Sequence, residues 1–402
     1  MSTKITFITT GQPATNPRLV KEANALGAAG YTVNVIYCFW SEWAQQKDQD
    51  IFNNCNWAAI QVGGDPIQQR RAWWYTRLRQ KVSRYFPFSP FFVYRSLARA
   101  YDEMVRQALK TKAELYIAHN LGALPVAAKV AQKSGASFAF DAEDFHRGES
   151  TQVNELTKQI IQTENLFLPQ AQFITTASPL ISRAYQALYP ELTFTTINNV
   201  FSLGYQKALK VIPSSPLKLF WFSQTIGLDR GLQDVLLAMQ TLDDVSIKLT
   251  LVGQVSKDVS IELNGMLNSK NHCLNFHEPI AEAGLFDLAS QHHIGLALER
   301  SIPNNRDICL TNKVFTYLLA GNAIIASDTS AQSQFIQQYP AVGVLYPQGN
   351  HKILADVLLT YQANPEKLEA QRQAAWTLAQ EQLNWEMEQK NWLTLVKEAR
   401  SA

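Results

Sequence analysis

Apolar runs alternate with amphipathic stretches along almost the whole chain. In the first half, β-rich runs at 4–10, 31–37 and 136–140 predict strands, while 18–30 and 121–135 repeat apolar residues at helical spacing. Continuous apolar runs are typical of buried parallel strands, and helices with one apolar face cover them. The strand–helix–strand order therefore predicts an α/β fold built on doubly wound parallel sheets.

The second half repeats this order after an interruption at 202–216. The prolines and serines at 213–216 break any regular element, and a new strand is expected at 217–223. The chain has 402 residues, of which 46% are apolar. A chain of this length is too long to fold around one ordinary hydrophobic core. We therefore expect two domains of roughly 150–200 residues each.

The segment 293–328 carries the most informative pattern. It predicts a strand at 293–298, a polar loop at 299–310, a short helix that begins after Thr311 and a further strand at 323–327. The loop and the start of the helix follow a strand end, which is where open parallel sheets bind ligands.

Lys313 falls in the first turn of this short helix. The helix dipole disfavours a cation there by roughly 0.3–1 kcal/mol. An anion held between the ammonium group and the free backbone N–H groups would reverse that preference. The alternative is a solvated lysine that tolerates the small cost.

The sequence TNKVFTYLLAGNAIIASD resembles the nucleotide-sugar segment of the retaining glycosyltransferases of family 4, which have the GT-B fold. The resemblance implies that Asn312 and Lys313 lie near the diphosphate of the donor. The chain also departs from the family, because Thr316 and Ile308 stand where the family has a pair of glutamates. Glu299, at the preceding strand end, is a candidate to replace one of them.

A second cation, Arg230, is expected at the start of the helix that follows the strand at 217–223. The stretch SQTIGLDRGLQDVLLAMQ resembles the family's phosphate loop, in which a Gly-containing turn leads into an amphipathic helix. Arginine offers a fork of donors, which suits a diphosphate. The loop residues that the resemblance implies for the donor are Ser223, Gln224, Thr225 and Gly227.

In the first domain, polar residues follow two successive strand ends. His119 follows one strand, and Asp141, Glu143 and Asp144 follow the next, a combination suited to acid–base chemistry. The segments YIAHNLGALPVA and FAFDAEDFHRGE resemble family segments near the transferred sugar, with Glu143 in place of a family His. His119, Glu143 and Asp144 are therefore the candidate catalytic residues. The alternative for the acidic residues is a solvated loop that caps the next helix.

The loop GQPATNPRL after the first strand resembles the family opening, which borders the cleft between the domains. The resemblance makes Gly11 a candidate donor-binding residue and adds Asn16 and Arg18 as candidates. On local grounds alone, Gly11 is a turn residue and Asn16 is the N-cap of a helix whose first residue is Pro17.

The segment 67–100 concentrates positive charge and aromatic rings. It holds eight basic residues and no acid, so the net charge of +2 leaves −6 on the rest of the chain. Trp74, Leu78, Val82 and Tyr85 recur at helical spacing, and FPFSPFF follows. This composition fits the interface of an anionic membrane. The alternatives are a helix packed on its own domain and a nucleic-acid surface, and the sugar-related motifs argue against nucleic acid.

Other features exclude classes of protein. The four cysteines show neither CxxC nor metal-ligand spacing. No apolar run reaches the roughly 18–20 residues of a transmembrane helix, and the first residues run into a strand without a signal peptide. We expect a cytoplasmic protein, peripheral on the inner face of the cell membrane. It should need no metal or other cofactor, because two cations carry the phosphate charge.

The resemblance implies a GT-B-like α/β fold of two facing Rossmann-like, doubly wound domains with an inter-domain cleft. Residues 1–205 would form the acceptor-side domain, 206–383 the donor domain, and the helix 384–402 would cross back onto the first. The implied function is transfer of a sugar, with retention of configuration, from a UDP- or GDP-sugar to a saccharide or lipid-linked acceptor in surface polysaccharide or glycolipid synthesis. A non-catalytic sugar-nucleotide-binding or scaffold protein is the main alternative, and a sugar-nucleotide epimerase is the weaker one.

Overall fold

The structure is a computed structural model that describes residues 2–86, 89, 91–242, 244–267 and 269–401. The chain divides into two compact units. The first comprises Met1–Ile197 with Gln389–Ala402, and the second comprises Asn198–Glu388.

The first unit is built on a seven-stranded parallel sheet in the order β3-β2-β1-β4-β5-β6-β7. Its strands are β1 (Lys4–Thr9), β2 (Thr32–Cys38), β3 (Ala58–Val62), β4 (Leu115–His119), β5 (Ser137–Asp141), β6 (Ile174–Thr176) and β7 (Phe194–Thr196). Its first eight helices are α1 (Pro17–Ala28), α2 (Glu42–Asn54), α3 (Arg70–Ser83), α4 (Val93–Leu97), α5 (Tyr101–Thr111), α6 (Leu124–Ser134), α7 (Glu155–Phe167) and α8 (Pro179–Leu188).

The second unit has a six-stranded parallel sheet in the order β10-β9-β8-β11-β12-β13. Its strands are β8 (Leu217–Thr225), β9 (Ile247–Gln254), β10 (His272–His277), β11 (Ile294–Ala297), β12 (Ala323–Ser327) and β13 (Gly343–Tyr346). Its helices are α9 (Leu232–Gln240), α10 (Lys257–Gly265), α11 (Glu282–Ala289), α12 (Asn304–Ile308), α13 (Asn312–Ala320), α14 (Ser330–Gln338), α15 (His351–Ala363) and α16 (Pro365–Glu381).

The last helix, α17 (Trp385–Ser401), runs from the second unit into the first. Trp392 is fully buried, and its ring lies 6.5 Å from that of Phe7 and 5.9 Å from that of Phe173, centroid to centroid. The aromatic and aliphatic residues of this helix thus complete the core of the first unit.

The central strands form where the sequence predicts them, because they are buried on both faces. Strands β4 and β12 have no exposed residue, and their sequences are continuous apolar runs. Two of the four edge strands, β3 and β13, escape prediction, since their apolar runs are short and most residues of β3 and the middle of β13 are partly exposed. The loop expected at 299–310 contains the one-turn helix α12.

Each sheet changes the direction of its strand order once. Successive strands spread to one side from β1 and to the other from β4, and the second sheet does the same at β8 and β11. In open parallel sheets, ligands bind beyond the carboxyl ends of the strands at such a reversal. These two edges are therefore where a functional site is expected. Among the described residues, no helix combines the length and the apolar character needed to cross a bilayer.

Candidate active site

At the carboxyl edge of the first sheet, polar residues stand side by side across neighbouring strands. The register pairs Thr9 with His119 and His119 with Asp141, and each of the three is the last residue of its strand. All three are fully buried. The predicted site residue His119 therefore lies beneath the surface of this edge.

Carboxylates contact both ring nitrogens of His119. Nε2 lies 3.0 Å from Oε2 of Glu22, and Nδ1 lies 3.1 Å from Oε1 of Glu143 and 3.4 Å from Oδ2 of Asp141. Burial lowers the pKa of His119, but the charges of Glu22 and Asp141 and the bond to Glu143 outweigh it and raise the pKa to about 10. A pKa of about 10 favours the imidazolium form of His119 at neutral pH, in which both ring nitrogens donate hydrogen bonds to the carboxylates.

Arg18 completes this network from helix α1. Its Nε lies 2.5 Å from Oδ2 of Asp141 and 3.3 Å from Oε1 of Glu22, and its Nη1 donates to the carbonyl of Ile197. Burial raises the pKa of Asp141, but the Arg18 and His119 charges hold it below its usual range. Burial raises the pKa of Glu22, and the charges of His119 and Arg18 only partly offset this rise. The network is a buried set of mutually paired charges.

Glu22 is not identified from the sequence as a site residue, although the pattern of helix α1 indicates that it is buried. In α1 the buried face includes Leu19, Ala23 and Leu26, and Arg18 and Glu22 lie on that same face, four residues apart. A charged i,i+4 pair among apolar helix positions needs a buried partner. That partner proves to be the end of β4 and β5.

Glu22, His119 and Asp141 also bring three ligand atoms within 4.8 Å of one another, as a metal site requires. The Arg18 guanidinium already contacts both carboxylates of this group. A metal ion would have to displace that guanidinium, so the cluster fits an internal cation better than a bound one.

Glu143 is the member of the network that reaches solvent, with 27% of its side chain exposed. Its backbone is left-handed, with φ of 53°, which is strained for a residue with a side chain. The side-chain amide of Asn16 donates to Oε1 of Glu143 over 2.6 Å. Glu143 is therefore a carboxylate held in a fixed position by Asn16 and His119.

Asn16 has two roles. Its Oδ1 accepts from the N–H of Leu19 at 2.9 Å, so the predicted cap of α1 is present, and its amide group binds Glu143. Gly11 is half-buried in the same loop, where a Cβ would approach Oγ1 of Thr15 to 2.9 Å. Close packing alone explains a glycine at that position.

Asp144, the third candidate catalytic residue, is half-buried. Its carbonyl accepts from the hydroxyl of Tyr185 at 3.4 Å, and its charge is one of several that raise the pKa of His146 against the effect of burial. The structure thus places the carboxylate of Asp144 within electrostatic reach of His146.

At the carboxyl edge of the second sheet, Lys313 and Glu299 form a buried ion pair. Nζ of Lys313 lies 2.5 Å from Oε1 of Glu299, with side chains 11% and 6% exposed, and 5.9 Å from the centre of the Trp221 ring. The alternative of a solvated Lys313 is therefore wrong. A protein carboxylate supplies an anion beside this cation at the start of α13.

The structure corrects the position of Arg230. This residue ends a short 3₁₀ turn, and α9 begins after Gly231, so Arg230 precedes the helix instead of lying in its first turn. Gly231 has φ of 76°, and a Cβ there would lie 3.4 Å from Cβ of Leu298. This close approach brings the loop after β8 beside the end of β11.

Two arginines meet one carboxylate in this loop. Nε of Arg230 and Nη1 of Arg306 each lie 3.7 Å from an oxygen of Asp229, with side chains 29% and 34% exposed. The contacts are long for charge-assisted hydrogen bonds. Both guanidinium groups therefore keep donors available to an anion. Arg306 lies in the one-turn helix α12, within the polar segment 299–310 that the sequence predicts as a loop.

The remaining candidates of the second unit differ in exposure. Thr225, the last residue of β8, and Asn312, the first residue of α13, are exposed. Thr316 is fully buried, and its hydroxyl donates to the carbonyl of Asn312 at 3.0 Å. Thr316 thus uses its hydroxyl within the helix, whereas Asn312 presents its amide at the surface. The Thr311 hydroxyl makes no capping bond to α13.

Neutral donors hold the other acids of this edge. Asp234 accepts from the N–H of Gly349 at 2.9 Å and from the hydroxyl of Tyr346 at 3.3 Å. Asp307 accepts from the N–H of Ser330 at 3.0 Å, which ties α12 to the start of α14. These acids do not use the arginines as partners.

No known family of sequences and no curated protein matches the chain. Solved structures do match over its whole length. Sucrose-phosphate synthase from Thermosynechococcus elongatus superposes with a TM-score of 0.73 at 13% identity, covering 99% of each chain. Anabaena HepE in complex with UDP gives 0.72 at 14% identity, covering 98% of this chain and 100% of that one.

A glycosyltransferase from Rickettsia africae gives a TM-score of 0.73 at 11% identity and covers 99% of both chains. Identities this low establish the fold and leave the chemistry to the residues. The predicted α/β, GT-B-like fold with two parallel sheets is confirmed.

Proposed function

We propose that the protein is a glycosyltransferase that takes a sugar from a nucleotide-sugar donor. The observation that carries this proposal is the pair of loosely held arginines, Arg230 and Arg306, at the strand reversal of the second unit. A diphosphate needs such donors, and the exposed start of α13 adds backbone N–H groups with a favourable dipole. The fold is shared with structures of glycosyltransferases.

The donor we favour is a UDP-sugar, since HepE on this fold has been crystallised with UDP and with UDP-glucose. In this proposal Arg230, Arg306 and the backbone of Asn312 bind the diphosphate. Lys313 adds positive charge behind it, and Glu299 fixes the position of the ammonium group. Cations aimed at the departing diphosphate stabilise the charge that develops as the bond to the sugar breaks. No metal is required in this scheme.

The acceptor side of the proposal rests on Glu143. This carboxylate is fixed by Asn16 and His119 and exposed on one side, so it can accept a hydrogen bond from an acceptor hydroxyl. His119 remains protonated and acts as a positioning residue. We propose that the acceptor is a saccharide, free or lipid-linked, in surface polysaccharide or glycolipid synthesis. We further propose transfer with retention, in the cytoplasm at the inner face of the cell membrane.

The first test is donor binding by calorimetry with UDP-, GDP-, ADP- and CDP-sugars. The variant R230Q/R306Q removes two partly exposed charges, so the fold should persist, and R183Q/K257Q removes two exposed charges elsewhere as the matched control. We expect one nucleotide to bind the wild type and the control alike, and to bind R230Q/R306Q at least tenfold more weakly.

Product analysis then separates the alternatives. Transfer of the sugar to an added saccharide or lipid-linked acceptor supports the proposed activity. Binding without transfer to any acceptor would favour a scaffold protein, and an isomerised sugar nucleotide formed without acceptor would identify an epimerase. Full turnover by R230Q/R306Q would overturn the assignment of the diphosphate site.

A further inference from the structure

Helix α3 in the first unit exposes its apolar side chains instead of burying them. Its buried residues are Thr76 and Ser83, whereas Trp74 is 61% and Leu78 62% exposed. At about 100° per residue, Trp74 and Leu78 lie opposite Thr76 and Ser83 on the helix. Val82 is also exposed, at 42%. Helix α3 thus packs on its own domain through its polar side, with Thr76 and Gln80 donating to the carbonyls of Gly63 and Ser96, and the apolar stripe is left exposed.

Cations border this apolar stripe. We call the whole surface the basic aromatic face, and its residues are Arg70, Arg71, Trp74, Arg77, Leu78, Lys81, Val82 and Arg84. All eight side chains are exposed. Within the part of the chain that the structure describes, none of its five cations forms an ion pair with a carboxylate.

Three other basic residues of the same segment have internal partners. Arg79 contacts Glu103 at 2.5 Å, and Arg95 contacts Asp102 at 2.6 Å. Arg99 donates to the carbonyl of Gly63 at 2.6 Å. Arg77 of the face also lies over the Trp73 ring, 4.6 Å from its centre. Three cations of the segment are thus held by internal polar groups, whereas the five of the face are exposed and form no ion pair among the described residues.

Further exposed aromatic residues surround this helix. Tyr85, Phe86 and Phe91 are 74%, 52% and 58% exposed, and the intervening residues 87, 88 and 90 of the expected FPFSPFF tip lie outside the described residues. At the end of β2, Trp40 is 72% exposed. Arg99 joins this strand end to the region of α3, because it donates to the carbonyl of Phe39 as well.

We propose that the basic aromatic face docks the protein on an anionic phospholipid bilayer. An apolar stripe flanked by Lys and Arg is the pattern of a helix that lies flat in the lipid interface. The 14 residues of α3 span about 21 Å in that orientation. Each of the five cations raises the affinity about fivefold close to anionic headgroups.

The aliphatic centre of the face distinguishes lipid from nucleic acid. Leu78 and Val82 gain contact by entering an acyl layer, whereas single-stranded nucleic acid is bound by cations together with stacked aromatic rings. An acidic protein would satisfy the cations but would need its own apolar stripe. The inference concerns docking only and does not depend on sugar transfer.

Vesicle flotation tests the proposal with the full-length protein. The vesicles contain phosphatidylcholine alone or roughly three parts phosphatidylcholine to one part phosphatidylglycerol. The variant R70Q/R71Q/K81Q/R84Q removes four cations of the face. The control K133Q/K257Q/K352Q/K367Q removes four exposed lysines elsewhere, so both variants have the same net charge.

We expect the wild type and the control to bind the anionic vesicles and to be released by high salt. The variant of the face, which lacks four cations, should bind roughly several hundredfold more weakly. Separately, W74A/L78A should weaken binding roughly tenfold without changing net charge. Because both residues are more than half exposed, the fold should not depend on them.

A second measurement locates the contact. Lipids brominated in their acyl chains should quench tryptophan fluorescence in the wild type, and W74F should lose part of that quenching. Equal vesicle binding by the variant of the face and the control would overturn the proposal. So would wild-type protein that stays unbound with anionic vesicles at low salt, including the case in which it binds single-stranded RNA instead.

Discussion

Charged side chains at the carboxyl edges of the two sheets have different kinds of partner. In the first unit, Arg18 and His119 are satisfied by protein carboxylates, and their side chains are buried. In the second unit, Asp234 and Asp307 are satisfied by backbone N–H groups and hydroxyls. The cations of the first edge are therefore all paired with carboxylates, whereas at the second edge Lys313 is paired with Glu299, and Arg230 and Arg306 keep long contacts.

This difference indicates which ligand each edge suits. The first edge presents the partly exposed carboxylate of Glu143, which suits a ligand that donates hydrogen bonds. The second presents Arg230 and Arg306, which are donors to an anion. A buried charge must find its partner within the protein, so the group without such a partner marks where a ligand is needed.

The largest expected effect comes from breaking the buried pair of the second edge. Lys313→Ala leaves Glu299 buried without its cation, and we expect the free energy of unfolding to fall by about 3–5 kcal/mol. Urea denaturation measures this loss.

The double variant K313M/E299Q separates stability from binding. Because it removes both charges and keeps the volume, most of the stability should return, while affinity for UDP stays reduced. If the double variant binds UDP as tightly as the wild type, Lys313 stabilises the fold only and is not one of the cations that bind the donor at the second edge.

Glu143→Gln tests the exposed carboxylate of the first edge. We expect turnover to fall about a hundredfold with donor affinity unchanged, since removal of one positioned polar contact in a transition state costs about 2–4 kcal/mol. Glu155→Gln, which alters an exposed glutamate of α7, is the control. Unchanged turnover in Glu143→Gln would remove this residue from the reaction.

The pH dependence of stability reports the buried network directly. The pKa of His119 in the folded protein is about 10, above the value of about 6.5 in an unfolded chain. Its contribution is therefore fully present below pH 6.5 and is lost as the pH rises through 10. Between these values the loss approaches about 1.4 kcal/mol per pH unit.

Urea denaturation across this pH range should show that slope for the wild type, relative to the variant His119→Gln. Taking the difference between the two proteins cancels the titration of other groups. Glu22→Gln should end this loss at a lower pH, because it removes a charge that raises the pKa of His119 in the folded protein. Parallel curves for the wild type and His119→Gln would show that His119 is neutral in the folded protein.

The smallest effect is expected at the neutral contacts of the second edge. Asp307→Ala removes the bonds from α12 to Ser330, and we expect a loss of about 0.5–2 kcal/mol in unfolding free energy, as for a helix cap. Asp307→Asn keeps one acceptor oxygen and should lose less. A few-fold weaker donor binding in Asp307→Ala alone would show that this contact also positions the neighbouring Arg306.

The sequence by itself determines the strand–helix alternation, since burial on both faces of a parallel sheet demands apolar runs. It also places His119, Glu143 and Lys313 at strand ends or helix starts, because those positions follow from local periodicity. It does not identify the edge strands β3 and β13, which are short and only partly buried.

Only the tertiary structure decides the partners of the charges. Lys313 meets Glu299 across a loop, and His119 meets Glu22 from a helix 97 positions away in the chain. Such pairs depend on which strand ends become neighbours. The hydrophobic periodicity of the sequence predicts the strands but does not determine their order in the sheet. The charge state of His119 and the outward direction of the α3 cations follow from the same cause, since burial and neighbouring charges exist only once the sheets have formed.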